Sequence, residues 1–421
     1  MTASVAMPRP AVILRLVAGR STFRLGIQVM SVALVAVWGA ADFSQYANAL
    51  GLCAWLPLAV STPEKAALKV LPRTRLLTSA LARMTIWLSA APLVGLLGVL
   101  VPVALAAPTS TATMYLAAAT WACGTGLLMT VSGLHRLRGR PSLDAVAFGV
   151  SAAVLLAVTA LTWFTGWAPQ FHLLSLVLGI VVVNCCALAA LPREWIRPGT
   201  SLRRGLFPAL ARTISLLGVS DVVAAFGTSL VYAVLAATGQ VTDSGPLYLA
   251  MLASNMVCQL VFYLLRVAQP ATSARLRGPG GAAGRLRALG LLHRAERFGI
   301  VFAVVFAVVA VVPATRALLG DNGVAGARVA VVLGVLALCE VTVFITVMYA
   351  GYLLENTDNK VLAVTSSSAL VGLLAMGVLA VALVPVLGAV GGLAALVLAP
   401  AVRAYAMRRM LLRARPDLTA P

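Results

Sequence analysis

Acidic and titratable side chains are the scarce resource of this chain. Only 12 Asp and Glu stand against 32 Lys and Arg in 421 residues, and there are three histidines. His135 and His293 lie in basic segments and His172 lies at the end of an apolar run. None is set beside an acid inside an apolar run, as an acyltransferase would need. HExxH, the prenyl-binding DDxxD pattern and the phosphate loop GxxxxGK[ST] are all absent, so metalloprotease, prenyl-transfer and nucleotide-hydrolysing chemistry are not expected of the chain. The six cysteines, at 53, 123, 185, 186, 258 and 339, sit in apolar runs with no CxxC spacing. That excludes a disulfide framework and a zinc ribbon and leaves them as small packing residues. No hydrophilic loop is long enough for a folded catalytic domain, and no enzymatic activity is expected.

What is abundant is apolar. Hydrophobic residues make up 61% of the chain, charged residues 10%, and the mean hydropathy is +0.99. Soluble domains hold about 45–50% apolar residues, so this is an integral membrane protein. The formal charge of +20 does not indicate nucleic acid, which requires a basic patch interleaved with aromatics on a water-soluble surface. Here the arginines stand between apolar runs, where topology accounts for them.

About 20 apolar residues cross a bilayer, and dividing the chain on that rule gives twelve spans. They are 24–41, 46–61, 77–106, 111–134, 143–165 and 171–191, then 214–237, 247–267, 298–319, 329–354, 361–384 and 388–407. With both termini in the cytoplasm, the tails, the even-to-odd connections and the adjoining helix ends hold thirty of the 32 cationic residues; only Arg316 and Arg328 fall outside. That asymmetry is what the positive-inside rule requires. The N-terminal residues, interrupted by Arg15 and Arg20, read as an uncleaved cytoplasmic tail lying on the membrane surface.

The connection PREWIRPGTSLRRGLFPALART separates two sets of six spans. It implies an N-terminal lobe over 1–192, a cytoplasmic linker over 193–213 and a C-terminal lobe over 214–421. Six and six suggests a repeat, and an even number of spans per half predicts a pseudo-two-fold along the membrane normal. The fold class expected is an all-α polytopic membrane protein of twelve helices in two six-helix lobes.

The stretch FSQYANALGLCAWLPLAVSTPEKAALKVLPR, residues 43–73, resembles the opening of the polysaccharide-transporter branch of the multidrug/oligosaccharidyl-lipid/polysaccharide (MOP) flippase superfamily. There an FGxYA-like turn leads into span two and a basic LPR-like segment; here Ser44 stands at the turn glycine. The similarity continues in DVVAAFGTSLVYAVLAA, YLAMLASNMVCQLVFYLLRVAQP, GYLLENTDNKVLAVTSSSAL and GAVGGLAALVLAP. Asp221 is followed by Val222 where the family often has a basic residue. The resemblance implies a two-lobed, MATE-like transporter alternating between inward- and outward-open states to move an isoprenoid-linked oligosaccharide across the cytoplasmic membrane. Its partners would be membrane lipids and the glycosyltransferases and polymerase of the same pathway. A drug/cation antiporter is the alternative within the fold.

Individual residues follow. Glu340 lies about a dozen residues from either end of span ten, near mid-membrane at about 1.5 Å per residue, where a charge costs on the order of 2.5–3.5 kcal/mol and should face an interior. Asp221 lies within span seven. The resemblance implies a coupling cation or proton between spans seven, ten and eleven, so Asp221, Glu340 and Thr365, the first of the hydroxyls Thr365 to Ser368, form the candidate Na+ or proton site. Arg24, Arg83, Arg266 and Arg297 sit at the inner ends of spans one, three, eight and nine. Arginine forks match phosphate, so these are the candidate receivers of a lipid pyrophosphate. Asp42 reads as an outer interfacial residue, and Glu64, Asp144, Glu194, Asp243, Glu296, Asp321, Glu355, Asp358 and Asp417 as solvated charges of loops and span ends. ENTDNK, residues 355–360, reads as a polar turn.

Overall fold

The computed structural model describes residues 10–70, 78–196, 206–276, 280–311, 327–357 and 359–414. Among them every regular element is a helix. Helix α1 runs Pro10–Leu52, α2 Leu56–Val70, α3 Thr78–Ala106, α4 Thr111–Leu137, α5 Pro141–Thr165, α6 Pro169–Ala189, α7 Arg193–Ile196 and α8 Leu206–Ala237. A 3-10 turn, Val241–Asp243, leads to α9 (Ser244–Leu276), α10 (Gly280–Val311), α11 (Ala327–Glu355) and α12 (Asn359–Ala414).

Two of these helices are each two spans joined at a glycine. Gly39 has φ 73° and ψ −178° inside α1, and Gly388 has φ 53° and ψ −130° inside α12. Both conformations are open to glycine and strained for any residue with a Cβ. Nine helical stretches among the described residues are long and apolar enough to cross a membrane, and the two bent ones account for two spans apiece. The apolar part of α10 begins at Phe298 and reaches the edge of the described residues at Val311, inside the span expected over 298–319. The architecture is that of an all-α, twelve-helix, multi-pass membrane protein.

Placing the first break at Gly39 corrects the expected turn. Ser44 is helical, its hydroxyl donating to the Ala40 carbonyl at 2.7 Å, and Phe43, Ser44, Tyr46, Ala47 and Asn48 are already buried. The turn glycine is present five residues earlier, in an apolar run that hid it. Asp42 is exposed.

Local chemistry fixes other ends. The Ser110 hydroxyl caps α4 by accepting from the Thr113 amide at 3.1 Å, prolines open α5 and α6 where no backbone donor is needed, and left-handed Gly166 closes α5. At the second break the Asp243 carboxylate accepts from the Ala389 amide at 3.1 Å, and the Gln240 amide donates to the Pro385 carbonyl at 3.1 Å. Asp243, read from sequence as a solvated loop charge, is therefore the cap of the last span.

The chain forms two compact units. One comprises 1–222 with 266–270, the other 223–265 with 271–421. In the first, α1 packs along α5 and α4 is enclosed by α2, α3 and α6. Backbones approach closely: a Cβ on Gly19 would stand 2.8 Å from the Ala145 Cα. In the second, α10, α11 and the end of α12 share a core of Leu292, Ala295, Val343, Val347, Ala404 and Met407. Part of the connection 193–213, Arg73, Arg75, Arg316, Asp321, Asp358 and Asp417 lie outside the described residues, as do the side chains of Arg328 and Lys360.

Candidate functional site: a buried ion-pair network

Helix α2 carries Glu64 and Lys65 side by side, and consecutive helical positions point about 100° apart. Each therefore meets different partners. Glu64 forms an ion pair with Arg136 in the last turns of α4, and its second oxygen accepts from Arg266 of α9 at 2.7 Å. Lys65 donates to Asp221 of α8 at 3.1 Å. Arg136 extends the network to Asp144 at 3.2 Å, and Asp144 also faces Arg20 of α1 at 3.4 Å. The Arg20 guanidinium lies 4.0 Å over the Phe148 ring, a cation–π contact that covers its apolar face.

All seven groups belong to the first unit, and none has a side chain more than 10% exposed. Helix ends favour the placement: Arg136 stands where α4 terminates and Asp144 in the first turn of α5, the signs each dipole stabilises. Small residues let the charges in. A Cβ on Gly133 would overlap the Glu64 carboxyl, one on Gly218 of α8 would overlap Thr62, and Ala66 and Ala67 beside Lys65 are fully buried.

Four cations face three carboxylates, a surplus of one positive charge. Ions leave water at a cost of several kcal/mol each, recovered only with good geometry, and removing one member of a buried pair costs about 3–5 kcal/mol. The network therefore specifies one arrangement of the segments of α1, α2, α4, α5, α8 and α9 that belong to the first unit. Beside it the His135 ring nitrogen Nε2 lies 3.0 Å from the Ala187 carbonyl and Arg138 donates to the Ala190 carbonyl at 3.1 Å, tying α4 to the end of α6.

This corrects the reading of Glu64 and Asp144 as solvated loop charges: they are 1% and 0% exposed. It also places Lys65, one of the cations counted in the even-to-odd connections, in the interior. The available signal was local. PEKAALKV contains helix formers and small residues with no turn chemistry after its proline, and RGRPSLD places its acid where Pro141 begins a helix.

The other predicted residues distribute as follows. Arg266 is in the network. Arg83 donates to the Glu194 carbonyl of α7 at 2.9 Å, bracing that short helix. Arg24 is half-buried on α1 and Arg297 is exposed on α10. Asp221 is in the first unit with Lys65, whereas Glu340 is in the second. There it is 6% exposed and hydrogen-bonded by Ser254 of α9. Its Oε2 has no hydrogen-bond partner among the described residues. Thr365 and Ser368 donate to their own helix, to Leu362 at 2.8 Å and Thr365 at 2.9 Å. Among the described residues no three His, Cys, Asp or Glu side chains converge as metal ligands. A single carboxylate with one free oxygen fits a proton better than a hard cation, which gathers several oxygen ligands. Glu355 is buried, and the neighbouring Asn356 accepts from the Ser273 hydroxyl, so the start of ENTDNK is an interior turn and not a solvated one.

No protein-family model matches the chain, and no curated protein matches it. Solved structures do. An outward-facing multidrug-resistance MATE family transporter of the MOP superfamily superposes with a TM-score of 0.59 at 14% identity, over 97% of this chain and 96% of that one. A MOP superfamily transporter from Pyrococcus furiosus, described by a binding pocket of reverse polarity, gives 0.56 at 13% identity over the whole of both chains. A MATE protein in complex with MaL6 gives 0.56 at 14% identity, over 100% and 99%. At these identities the likeness is one of fold: the chain shares the all-α architecture of solved MOP superfamily transporters.

Proposed function

We propose that this protein is an alternating-access flippase that moves an isoprenoid-lipid-linked oligosaccharide across the cytoplasmic membrane for polysaccharide or cell-envelope synthesis, coupled to an ion gradient. The observation that carries this reading is Arg266 held against Glu64. That carboxylate is already shared with Arg136, so a lipid pyrophosphate offers Arg266 a bidentate replacement partner. Loading would transfer Arg266 from Glu64 to phosphate while Arg136 keeps Glu64 neutralised. The exchange keeps Glu64 paired with Arg136, and the second charge of a pyrophosphate diester would need another arginine, since an unpaired buried charge is costly. The resemblance of residues 43–73 to polysaccharide transporters supports the substrate class, since that stretch supplies Glu64 and Lys65. Arg24, Arg83 and Arg297 are further candidates for the pyrophosphate. Glu340, with Ser254, is the residue through which the gradient would act.

A second reading, a MATE-like drug/cation antiporter, is favoured by the lone Glu340 carboxylate and by the fold. The two separate in proteoliposomes. A fluorescent polyprenyl-pyrophosphate saccharide should become accessible on the far leaflet in a protein-dependent manner, whereas a cationic dye should not be extruded. Dye extrusion without saccharide movement would establish the antiporter.

A further inference from the structure

Helix α10 changes character along one face. From Phe298 onward its outward residues are apolar and open: Val301, Val304, Val305, Val308 and Val311 are 55–78% exposed. A face of that composition in a membrane protein lies against lipid. On the same face, toward the N-terminus, stand Arg297, Arg294 and Arg287, all exposed, while Gly281, Gly284, Ala288, Leu292, Ala295 and Gly299 form the buried face at helical spacing. The chain thus passes from water-facing arginine to lipid-facing valine between residues 297 and 298.

The end of α12 makes the same transition in the opposite sense. Val402 and Tyr405 are 40% and 43% exposed, and Arg409 and Arg413, the next positions on that face, are exposed. The Arg409 guanidinium lies 5.3 Å over the Tyr405 ring. An aromatic with its cation is what a helix presents at headgroup depth. Two contacts set the antiparallel register of these helices: a Cβ on Gly299 would overlap Ala401, and Arg408 donates to Glu296 at 2.6 Å. The two transitions therefore fall at one level.

Along these two helix segments the charge is one-sided. Glu296 is the only acid in 280–311 and 401–414, and it is spent on Arg408, with His293 3.9 Å away. Leu286, 56% exposed, adds an apolar contact between the arginines. We infer that Arg294, Arg297, Arg409 and Arg413 form a ledge on the second unit that binds the phosphate headgroup of an anionic diacyl phospholipid, with the acyl chains lying along the valine face of α10. Charge complementarity, the apolar continuation of the same face and the shared boundary select a lipid over a soluble anion. The ledge shares only Arg297 with the candidates for the transported pyrophosphate; Arg294, Arg409 and Arg413 belong to it alone.

The test is lipid binding to the purified full-length protein in neutral detergent, by native mass spectrometry and by thermal stabilisation. Phosphatidylglycerol should be retained and stabilise the protein, and phosphatidylcholine should not. Each arginine contributes about fivefold near an anionic surface, so Arg294→Gln, Arg297→Gln and Arg409→Gln together should weaken phosphatidylglycerol retention at least tenfold. These side chains are exposed, so the fold should persist; a monodisperse elution profile verifies it, and Arg294→Lys with Arg297→Lys and Arg409→Lys should restore most retention. Unchanged phosphatidylglycerol binding in the Gln variant overturns the inference. So does equal stabilisation by inorganic phosphate, which would mark a free-anion site, or failure of the Lys variant to recover binding.

Discussion

The two units use charge in opposite ways. In the first, seven charged side chains from six helices are drawn inside and paired, with Glu64 and Asp144 each serving two cations. In the second, Glu340 is buried with one oxygen satisfied and one without a hydrogen-bond partner among the described residues, while arginines line an exposed edge of α10 and α12. Pairing fixes an arrangement, because every member depends on its neighbours. A lone carboxylate can gain or lose a proton without disturbing a neighbour's partner. On the proposed readings, the first unit is built for specification and partner exchange, and the second for proton coupling and membrane attachment.

The sharpest way to break this comparison is to remove the hub. Glu64→Ala leaves Arg136 and Arg266 buried without their shared counter-ion and should cost about 3–5 kcal/mol, read as a large fall in melting temperature in detergent. Glu340→Gln should cost less than about 1 kcal/mol, because it removes a charge that the membrane interior disfavours. Equal losses in the two variants would erase the distinction between the units.

Next in size is the Lys65–Asp221 pair. Lys65→Met or Asp221→Leu alone strands a buried charge and should cost about 3 kcal/mol, whereas the double variant should recover at least half of that. Additive losses in thermal unfolding would show that the 3.1 Å pair carries no coupling.

These charges show where sequence reading succeeds. Glu340 was legible because depth alone isolates it: a dozen apolar residues on either side leave no alternative to the interior. The excess of arginine between spans and the count of twelve were legible for the same reason, since hydropathy is a one-dimensional property. Burial of Glu64, Lys65 and Asp144 was not. They stand at the ends of apolar runs, where distance along the chain cannot tell a solvated rim from a point on which several helices converge. Gly133, Ala66 and Ala67, which permit the convergence, and Pro141, which opens α5 beside Asp144, were the only local hints. The pairing of Asp221 with Lys65 joins positions 156 residues apart and has no local signature. Gly39 carries no such mark, lying among alanines and valines, whereas Gly388 follows Pro385, which signals its break.

The smallest effect concerns that second break. Asp243→Ala removes the acceptor for the Ala389 amide and should destabilise by about 1 kcal/mol, the value of a helix cap. Asp243→Asn should retain most of the stability. A loss in Asp243→Ala as large as that of Glu64→Ala would mean that the second unit also rests on a buried charge.

The most direct test joins both units in one assay. Proteoliposomes carrying the wild-type protein, Glu340→Gln or Arg266→Ala are loaded with a fluorescent polyprenyl-pyrophosphate saccharide, and its appearance on the far leaflet is followed with and without an imposed proton gradient. Wild type should move the lipid faster with the gradient, Glu340→Gln should move it at a rate indifferent to the gradient, and Arg266→Ala should lose movement in both conditions. Gradient-dependent movement that survives in both variants would contradict the account.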